Sequence, residues 1–200
     1  MSQKRSYQLR RRAERQDETH RRIAAATAEL HAEIGPAATT ISAIAERAGV
    51  ERLTVYRHFP DEIELFRACQ RHFLAEHPYP DPRAWAEIAD PIARLRRALD
   101  DLYVRYRETE AMTANILRDA PSMPALAATL EGMPLYFRAA RDLLSEGFSP
   151  TPAVRPLLLA AIGHALEFET WRSLARRQGL SDEQAVDLMV LLITSVAGVA

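Results

Sequence analysis

The feature of this sequence that most constrains the fold is a proline-rich interruption at residues 77–82, HPYPDP. Three prolines in five positions cannot continue a helix, because proline has no amide hydrogen and its ring collides with the preceding turn. On both sides of the interruption apolar residues recur at helical spacing, and no stretch alternates in the manner of a strand. The pattern predicts an all-α chain with a small N-terminal head, a connecting helix and a larger helical body.

The N-terminal part is divided by its turn signals. Residues 1–16 lack apolar periodicity and are predicted to form a flexible basic arm. Over residues 17–60, Gly35-Pro36 and Gly49 separate three segments with helical spacing of apolar side chains, which predicts a three-helix domain. Residues 61–77 are expected to form one connecting helix that ends at the proline-rich interruption.

Beyond the interruption, residues 83–200 are predicted to form the helical body. Proline and glycine delimit its helical segments. The expected segments are 83–89, 91–109, 111–119, 123–147, 152–178 and a last helix from about 182 to the end. No internal repeat is visible, so the body is expected to be a single helical domain.

Charge is unevenly distributed along the chain, although the formal net charge is −1. Residues 1–60 hold 11 Lys/Arg against 7 Asp/Glu, whereas the remaining residues hold 15 against 20. The first 22 residues alone hold 8 basic and 3 acidic side chains. A basic N-terminal segment on an otherwise acidic chain indicates contact with a polyanion.

Several classes of protein are disfavoured by composition. The N-terminus has no apolar stretch of the signal-peptide type, and the most apolar run, residues 188–200, is shorter than the ~20 residues that a membrane span needs. We therefore expect a soluble, cytoplasmic protein. Cys69, the single cysteine, excludes an internal disulfide and a cysteine-rich zinc cluster, and it is interpreted as a small, partly buried apolar residue. No metal or cofactor is predicted.

The most informative segment is residues 40–59, TISAIAERAGVERLTVYRHF. Two short helices joined by a tight turn at Gly49, with the second helix exposed, are what a DNA-reading helix-turn-helix requires. Val55 and Phe59, four positions apart, are predicted to face the core. The side chains predicted to face outward are Arg52, Leu53, Thr54, Tyr56, Arg57 and His58. Because arginine pairs with guanine edges and hydroxyl groups donate to phosphates, this face indicates DNA binding.

The same segment resembles the DNA-binding signature of the TetR (tetracycline repressor) family. The matching positions are Thr40, Ile44-Ala45, Ala48-Gly49-Val50, Thr54-Val55-Tyr56 and His58-Phe59. The resemblance covers residues 19–66, and the rest of the chain is similar to the family in length and helical outline alone. It implies that residues 51–58 form a recognition helix in the head of a ligand-responsive regulator.

The resemblance also implies roles for single side chains. The residues expected to contact DNA are Thr40, Ser42, Arg52, Leu53, Thr54, Tyr56, Arg57 and His58. Among them, Thr40 would bind a phosphate at a helix N-terminus, where N–H groups point outward. Ser42 lies where relatives sometimes place a base-reading side chain, and Leu53 would touch a thymine methyl group.

Two positions depart from the family pattern. Glu62 lies at the start of the fourth helix, where relatives usually carry a lysine that steadies the phosphate backbone, and a carboxylate there would repel phosphate. Leu53 occupies a place where glycine is common. Compensating contacts, along the backbone or in the minor groove, are expected from the arginines of the N-terminal arm. These are Arg10, Arg11, Arg12 and Arg15.

The last two predicted helices are apolar on several faces, and residues 188–193 are apolar all round. A helix that is apolar on every side must be covered on every side, which favours a partner chain over a purely intramolecular core. The resemblance implies pairing through the last two helices as a four-helix bundle. The residues expected at this homodimer interface are Leu158, Ile162, Ala165, Met189, Leu192 and Val196.

Aromatic and methionine side chains are frequent between the linker and the last helices. Such residues can line an adaptable apolar pocket, although each one alone is more typical of an ordinary core. The resemblance implies that a pocket for a small-molecule effector exists. The residues expected to line it are Tyr103, Tyr106, Met112, Met133, Tyr136, Phe137, His164, Phe168 and Trp171.

Taken together, the sequence predicts a non-enzymatic, DNA-binding transcriptional regulator. It would act as a homodimeric repressor that a small-molecule effector releases from a pseudo-palindromic DNA operator. Two alternatives stay open at this point. One is an all-helical metal-dependent enzyme, for which His164 and Glu167 on one helix face would supply two ligands. The other is a helical scaffold that binds only protein.

Overall fold

The structure, a computed structural model, describes residues 2–198, with side chains for residues 7, 8 and 10–198. This part of the chain forms helices and turns and contains no strand, which confirms the predicted all-α class. The α-helices are α1 (Ser2–Glu33), α2 (Ile41–Ala48), α3 (Arg52–His58), α4 (Glu62–Glu76), α5 (Pro82–Ala86), α6 (Pro91–Glu108), α7 (Glu110–Asp119), α8 (Pro124–Thr129), α9 (Met133–Ser145), α10 (Arg155–Ala165), α11 (Phe168–Arg172) and α12 (Asp182–Ala197). A π-helical turn, Ser173–Arg177, follows α11.

The helices group into two compact units. Unit 1 comprises Met1–Pro78 and Ala111–Glu131, and unit 2 comprises Tyr79–Glu110 and Gly132–Ala200. Most of α7 and all of α8 therefore belong with the N-terminal helices, whereas the sequence had indicated that they lie in the body. Side-chain hydrogen bonds account for this grouping, because Asn115 on α7 donates to the carbonyl oxygens of His31 and Ala32 at the end of α1, each at 2.9 Å.

The core of unit 1 is made of small and branched apolar side chains. Ile23 and Val55 are fully buried, and Ile44 and Leu30 are nearly so. The alanines among them let the helices approach closely, and α2 packs against α1. The buried cluster consists of Ile23, Ala24, Ala26, Leu30, Ile44, Ala45, Ala48, Val55, Phe59, Leu65 and Ala68.

Helix α1 begins much earlier than the sequence pattern indicates. We expected a flexible arm over residues 1–16, but α1 is continuous from Ser2. The segment lacks proline and glycine and is rich in Arg and Gln, which are good helix formers. An Arg10–Glu14 ion pair of 3.0 Å at (i, i+4) spacing adds to its stability. The side chains described in this segment, those of residues 7, 8 and 10–16, are exposed, and a helix with an exposed surface needs no apolar stripe.

Two of the long helices predicted from the sequence are interrupted. The predicted segment 123–147 is two helices, α8 and α9, separated near Gly132 with Pro134 in the first turn of the second. The predicted segment 152–178 is interrupted between α10 and α11, where Tyr103 and Tyr106 donate their hydroxyl groups to the carbonyl oxygens of Ala165 and Leu166. The sequence holds no proline or glycine at this second interruption, so only the folded structure reveals it.

Within the residues that the structure describes, no helix is both long enough and apolar enough to cross a bilayer.

Candidate nucleic-acid interface

Helices α2 and α3 form a helix-turn-helix whose ends are fixed by local chemistry. The Thr40 side chain caps α2 by accepting a hydrogen bond from the Ala43 amide at 3.1 Å. Gly49 ends α2 with a left-handed backbone conformation, φ 65° and ψ 42°, which side chains with a Cβ adopt only with strain. The chain then enters α3 after two residues, so the tight turn that the sequence predicts at Gly49 is confirmed.

Helix α3 presents one polar face to solvent. Val55 is completely buried and Phe59 is 4% exposed, so both lie against the core of unit 1. On the opposite side Leu53 is 55% exposed and Tyr56 is 48% exposed. Of the other residues predicted to face outward, Arg52 and Arg57 are exposed, while Thr54 and His58 are partly exposed. The exposed face of α3 therefore carries an apolar and an aromatic side chain beside two arginines.

Helix α1 braces both ends of α3. The Arg22 guanidinium donates to the carbonyl oxygen of Ala48 and, at 3.3 Å, to that of Gly49 in the turn before α3. At the other end, the ring of His20 packs on Phe59 with a centroid separation of 4.4 Å. Partial burial and the neighbouring His58 lower the pKa of His20. Helix α1 therefore contacts the motif at both ends of α3.

The N-termini of α2 and α4 differ in charge. Thr40 and Ser42, both predicted to contact DNA, are exposed at the start of α2. At the start of α4, Asp61 caps the helix by accepting from the Glu64 amide at 2.8 Å, and Glu62 is exposed beside it. The α2 end can accept a phosphate at its free N–H groups, whereas the acidic α4 end disfavours one.

The aromatic residues predicted to line an effector pocket form two groups in unit 2. In the first, Tyr106 lies edge-on to Phe168, with ring centroids 5.5 Å apart. The first group contains Tyr103, Tyr106, Phe168 and Trp171. In the second, Tyr136 and Phe137 surround Tyr79, whose hydroxyl lies 4.0 Å from the Met133 sulfur.

The sequence missed two members of this second group. The Arg105 guanidinium stacks on the ring of Tyr79, 3.6 Å from its centroid, and Arg105 is only 6% exposed. In the sequence, Arg105 lies close to Arg107 at the charged end of α6 and therefore resembles a solvated surface residue. Tyr79 lies inside the proline-rich interruption. A buried cation on an aromatic ring was not visible in either pattern.

Two predicted pocket residues lie elsewhere. Met112 belongs to unit 1, where it packs with Ala28 and Cys69. The His164 side chain is 67% exposed, and its ring nitrogen lies 3.2 Å from the Thr170 hydroxyl and 3.7 Å from the Glu167 carboxylate. The pocket hypothesis therefore applies only to the residues of the two aromatic groups. Cys69 is buried, and burial raises the pKa of its thiol to about 12, in accord with an apolar role.

The residues predicted for the dimer interface differ in their exposure within the single chain. Leu158, Ile162, Ala165 and Met189 are buried inside unit 2. The exposed apolar side chains are their neighbours Leu157 (60%), Leu191 (62%) and Leu192 (49%), while Val196 is partly exposed. Of the predicted set, Leu192 and Val196 thus lie at the surface. The sequence pattern did not show which face of each helix is buried, because these helices are apolar on several faces.

The residues of the metal-enzyme alternative do not form a cluster. His164 and Glu167 lie 3.7 Å apart, and both side chains are about two-thirds exposed. Among the described residues, no group of three or more His, Cys, Asp or Glu side chains is placed to hold a metal ion.

Comparison with known proteins points in one direction. Residues 23–69 match the model of "Bacterial regulatory proteins, tetR family". The chain is 29% identical over 164 residues to the tetracycline repressor protein class A from transposon 1721 of Escherichia coli, covering 80% of this chain and 71% of the relative. The matched segment includes the whole of α2 and α3.

Solved structures share the fold. A TetR-like transcriptional regulator from Rhodococcus sp. RHA1 superposes with a TM-score of 0.65 at 21% identity, covering 90% of this chain and 96% of the other. Another transcriptional regulator from the same organism gives a TM-score of 0.61 at 23% identity, covering 88% and 96%. At these identities the likeness concerns the helical architecture.

Proposed function

The chain belongs to the TetR family of bacterial regulatory proteins, and from this premise we propose that it is a transcriptional repressor that a small-molecule effector releases from its DNA operator. It is a DNA-binding regulator and not an enzyme, so neither the metal-enzyme nor the scaffold alternative is retained. The operator is a pseudo-palindrome bound by a homodimer.

One observation carries the DNA-binding part of the proposal, namely the orientation of α3. Its apolar residues Val55 and Phe59 lie in the core, and this leaves Arg52, Tyr56 and Arg57 on the exposed face. A major groove about 12 Å wide admits an α-helix, and arginine reads guanine there while tyrosine donates to phosphate. Leu53 supplies an apolar contact for a thymine methyl group.

The homodimer follows from the reach of a single head. Helix α3 has seven residues and reads only a few base pairs, so two copies related by a two-fold axis are needed for a half-site pair one helical turn apart. The exposed leucines of α10 and α12 supply an apolar surface for the second copy. These are Leu157, Leu191 and Leu192.

The effector is proposed to bind among the buried aromatic groups of unit 2. Tyr79, Tyr136 and the stacked Arg105 combine apolar surface with a charged group and hydroxyls, a composition typical of small-molecule sites. An effector that binds one conformation of the protein better than another shifts the population between DNA-binding and released states. The effector then changes the affinity for DNA by the same factor by which DNA changes the affinity for the effector.

Selection of bound DNA from random duplexes tests the proposal. We expect enriched inverted repeats, with Tyr56→Phe or Arg52→Ala weakening binding to the selected duplex about tenfold or more, the size of one lost phosphate or base contact. Arg155→Ala, which removes an exposed arginine from unit 2, is the matched control and should leave affinity unchanged. Circular dichroism checks that each variant keeps the helical content of the parent. An unenriched pool, or equal binding by all variants, contradicts the proposal.

A further inference from the structure

Helix α1 extends well beyond the core that it braces. The first buried residue of α1 is Ile23, and every described side chain from Tyr7 to Glu18 is exposed. At 1.5 Å per residue, the part of α1 between Tyr7 and His20 is about 20 Å long. It starts where α1 crosses α3, because His20 packs on Phe59 at the end of α3 and Arg22 binds the turn before it.

The basic side chains of this extension are arranged in a stripe. Arg11, Arg15 and Arg22 are separated by four and seven residues, so they share one face of the helix. Tyr7 lies on the same face, with the Arg11 guanidinium 5.7 Å from its ring centroid. Arg22 on this face binds the turn that leads into α3. The stripe therefore runs from the recognition element outward along α1 for about 16 Å.

The other charged residues of the extension are partly neutralised. Arg10 pairs with Glu14 at 3.0 Å, and Arg21 pairs with Glu18 at 2.7 Å. On the opposite flank of the motif, the start of α4 carries Glu62, an unfavourable neighbour for phosphate. Positive charge beside α3 is thus concentrated on α1.

We propose that the Arg11–Arg15 stripe of α1 is a second DNA-contacting surface, which binds the phosphates of duplex DNA flanking the half-site that α3 reads. This inference rests on the proposed function, since it requires α3 to lie in a groove. The contact is to the backbone because a helix 10–12 Å across does not enter a minor groove about 6 Å wide. Phosphate contacts of this kind position the protein and add affinity without reading sequence.

The test is the salt dependence of binding to duplex DNA. Each neutralised phosphate contributes about 0.9 to the slope of log affinity against log salt concentration. The homodimer carries two copies of each arginine. For R11Q/R15Q on a 40-bp duplex, we therefore expect the slope to fall by about 3.6, so that raising KCl from 50 to 200 mM costs about 150-fold less affinity than in the parent protein. On a duplex trimmed to the selected inverted repeat, parent and variant should differ less.

Three controls make the result decisive. R138Q/R155Q makes the same charge change at exposed positions of unit 2 and should keep the parental slope. R11K/R15K keeps the positive charge and should also keep the parental slope. Glutamine is a good helix former, and circular dichroism confirms that R11Q/R15Q remains helical. An unchanged slope for R11Q/R15Q, with normal selection of inverted repeats, overturns this inference and leaves the proposed function standing. A parent protein that binds no duplex overturns both.

Discussion

The cores of the two units are made of different kinds of side chain. Unit 1 buries small apolar residues such as Ala24, Ala26 and Ala45 and turns its polar groups outward on α3. Unit 2 buries large side chains that carry polar atoms, and several of these atoms bond to groups in another helix or turn. Examples are Trp85 to Asp101, Trp171 to Asp182, and the Tyr103 and Tyr106 hydroxyls to α10 carbonyls. Unit 1 is therefore specified mainly by local pattern, and unit 2 by long-range polar contacts.

The largest expected effect concerns Arg94, the strongest example of a buried polar group in unit 2. Its guanidinium, 7% exposed, donates to the carbonyl oxygens of Ile88, Ala89, Leu143 and Glu146 at 2.9 to 3.4 Å. Arg94→Met keeps the aliphatic stem but leaves these carbonyls without their donor. We expect the free energy of unfolding to fall by about 4 kcal/mol, measured by chemical denaturation.

Arg97→Met on the same helix is the control for Arg94. Arg97 is 61% exposed and pairs only with Asp101 four residues on, so its loss should cost less than about 1 kcal/mol. Hydrogen exchange should place the damage from Arg94→Met in unit 2, near the end of α9. If both variants lose equal stability, or if exchange rises first in unit 1, the contrast between the units does not hold.

The same contrast explains what the sequence could and could not predict. Gly49 and the inward pair Val55 and Phe59 are local signals, read from a turn and from helical spacing, and they were predicted correctly. The interruption of the helix after Ala165 depends on tyrosines about 60 residues away, which no local pattern reports. Long-range bonds leave no periodic trace in a sequence.

When a helix is apolar on several faces, its sequence pattern does not show which face is buried. The sequence indicated correctly that α10 and α12 carry more apolar surface than one face needs. It favoured Leu158 over Leu157, although the structure buries the first and exposes the second. Likewise, α1 was predicted to start late because its first half has no apolar stripe. An amphipathic pattern predicts only helices that pack against other elements, so a helix with exposed sides is not predicted from it.

The second prediction uses His31, one of the few polar residues that are buried in unit 1, where Thr27 and Asp119 are also buried. His31 is 1% exposed, with its Nδ1 3.6 Å from the Cys69 sulfur. Burial lowers the pKa of His31 to about 4, although the nearby Asp119 carboxylate acts in the opposite direction. The unfolded chain binds this proton at a pKa near 6.5, so protonation favours unfolding. Between pH 7 and pH 4.5 the folded state should lose about 2 to 3 kcal/mol through His31 alone.

His31→Gln should remove this part of the pH dependence. Denaturant titrations of the parent and the variant at pH 7 and pH 4.5 give the difference, in which other titrating groups cancel. His164→Gln, a change at an exposed histidine in unit 2, is the control and should retain the parental pH dependence. A parental pH dependence in His31→Gln would show that unit 1 tolerates a charge at this position and would weaken the contrast with unit 2.

The smallest expected effect is also the most direct test of how unit 2 is specified. Burial raises the pKa of Tyr103 and Tyr106, so both hydroxyls stay protonated and donate, at 3.0 Å to Ala165 and at 2.5 Å to Leu166. Tyr→Phe at either position removes a donor without changing the packing, and each should cost about 1 kcal/mol of unfolding free energy. Because the two bonds hold adjacent carbonyls where α10 ends, the double variant should lose more than the sum of the single ones. Additive losses, with unchanged hydrogen exchange at the start of α11, would mean that the interruption is set by backbone preference alone, and the long-range account of unit 2 would then have to rest on Arg94.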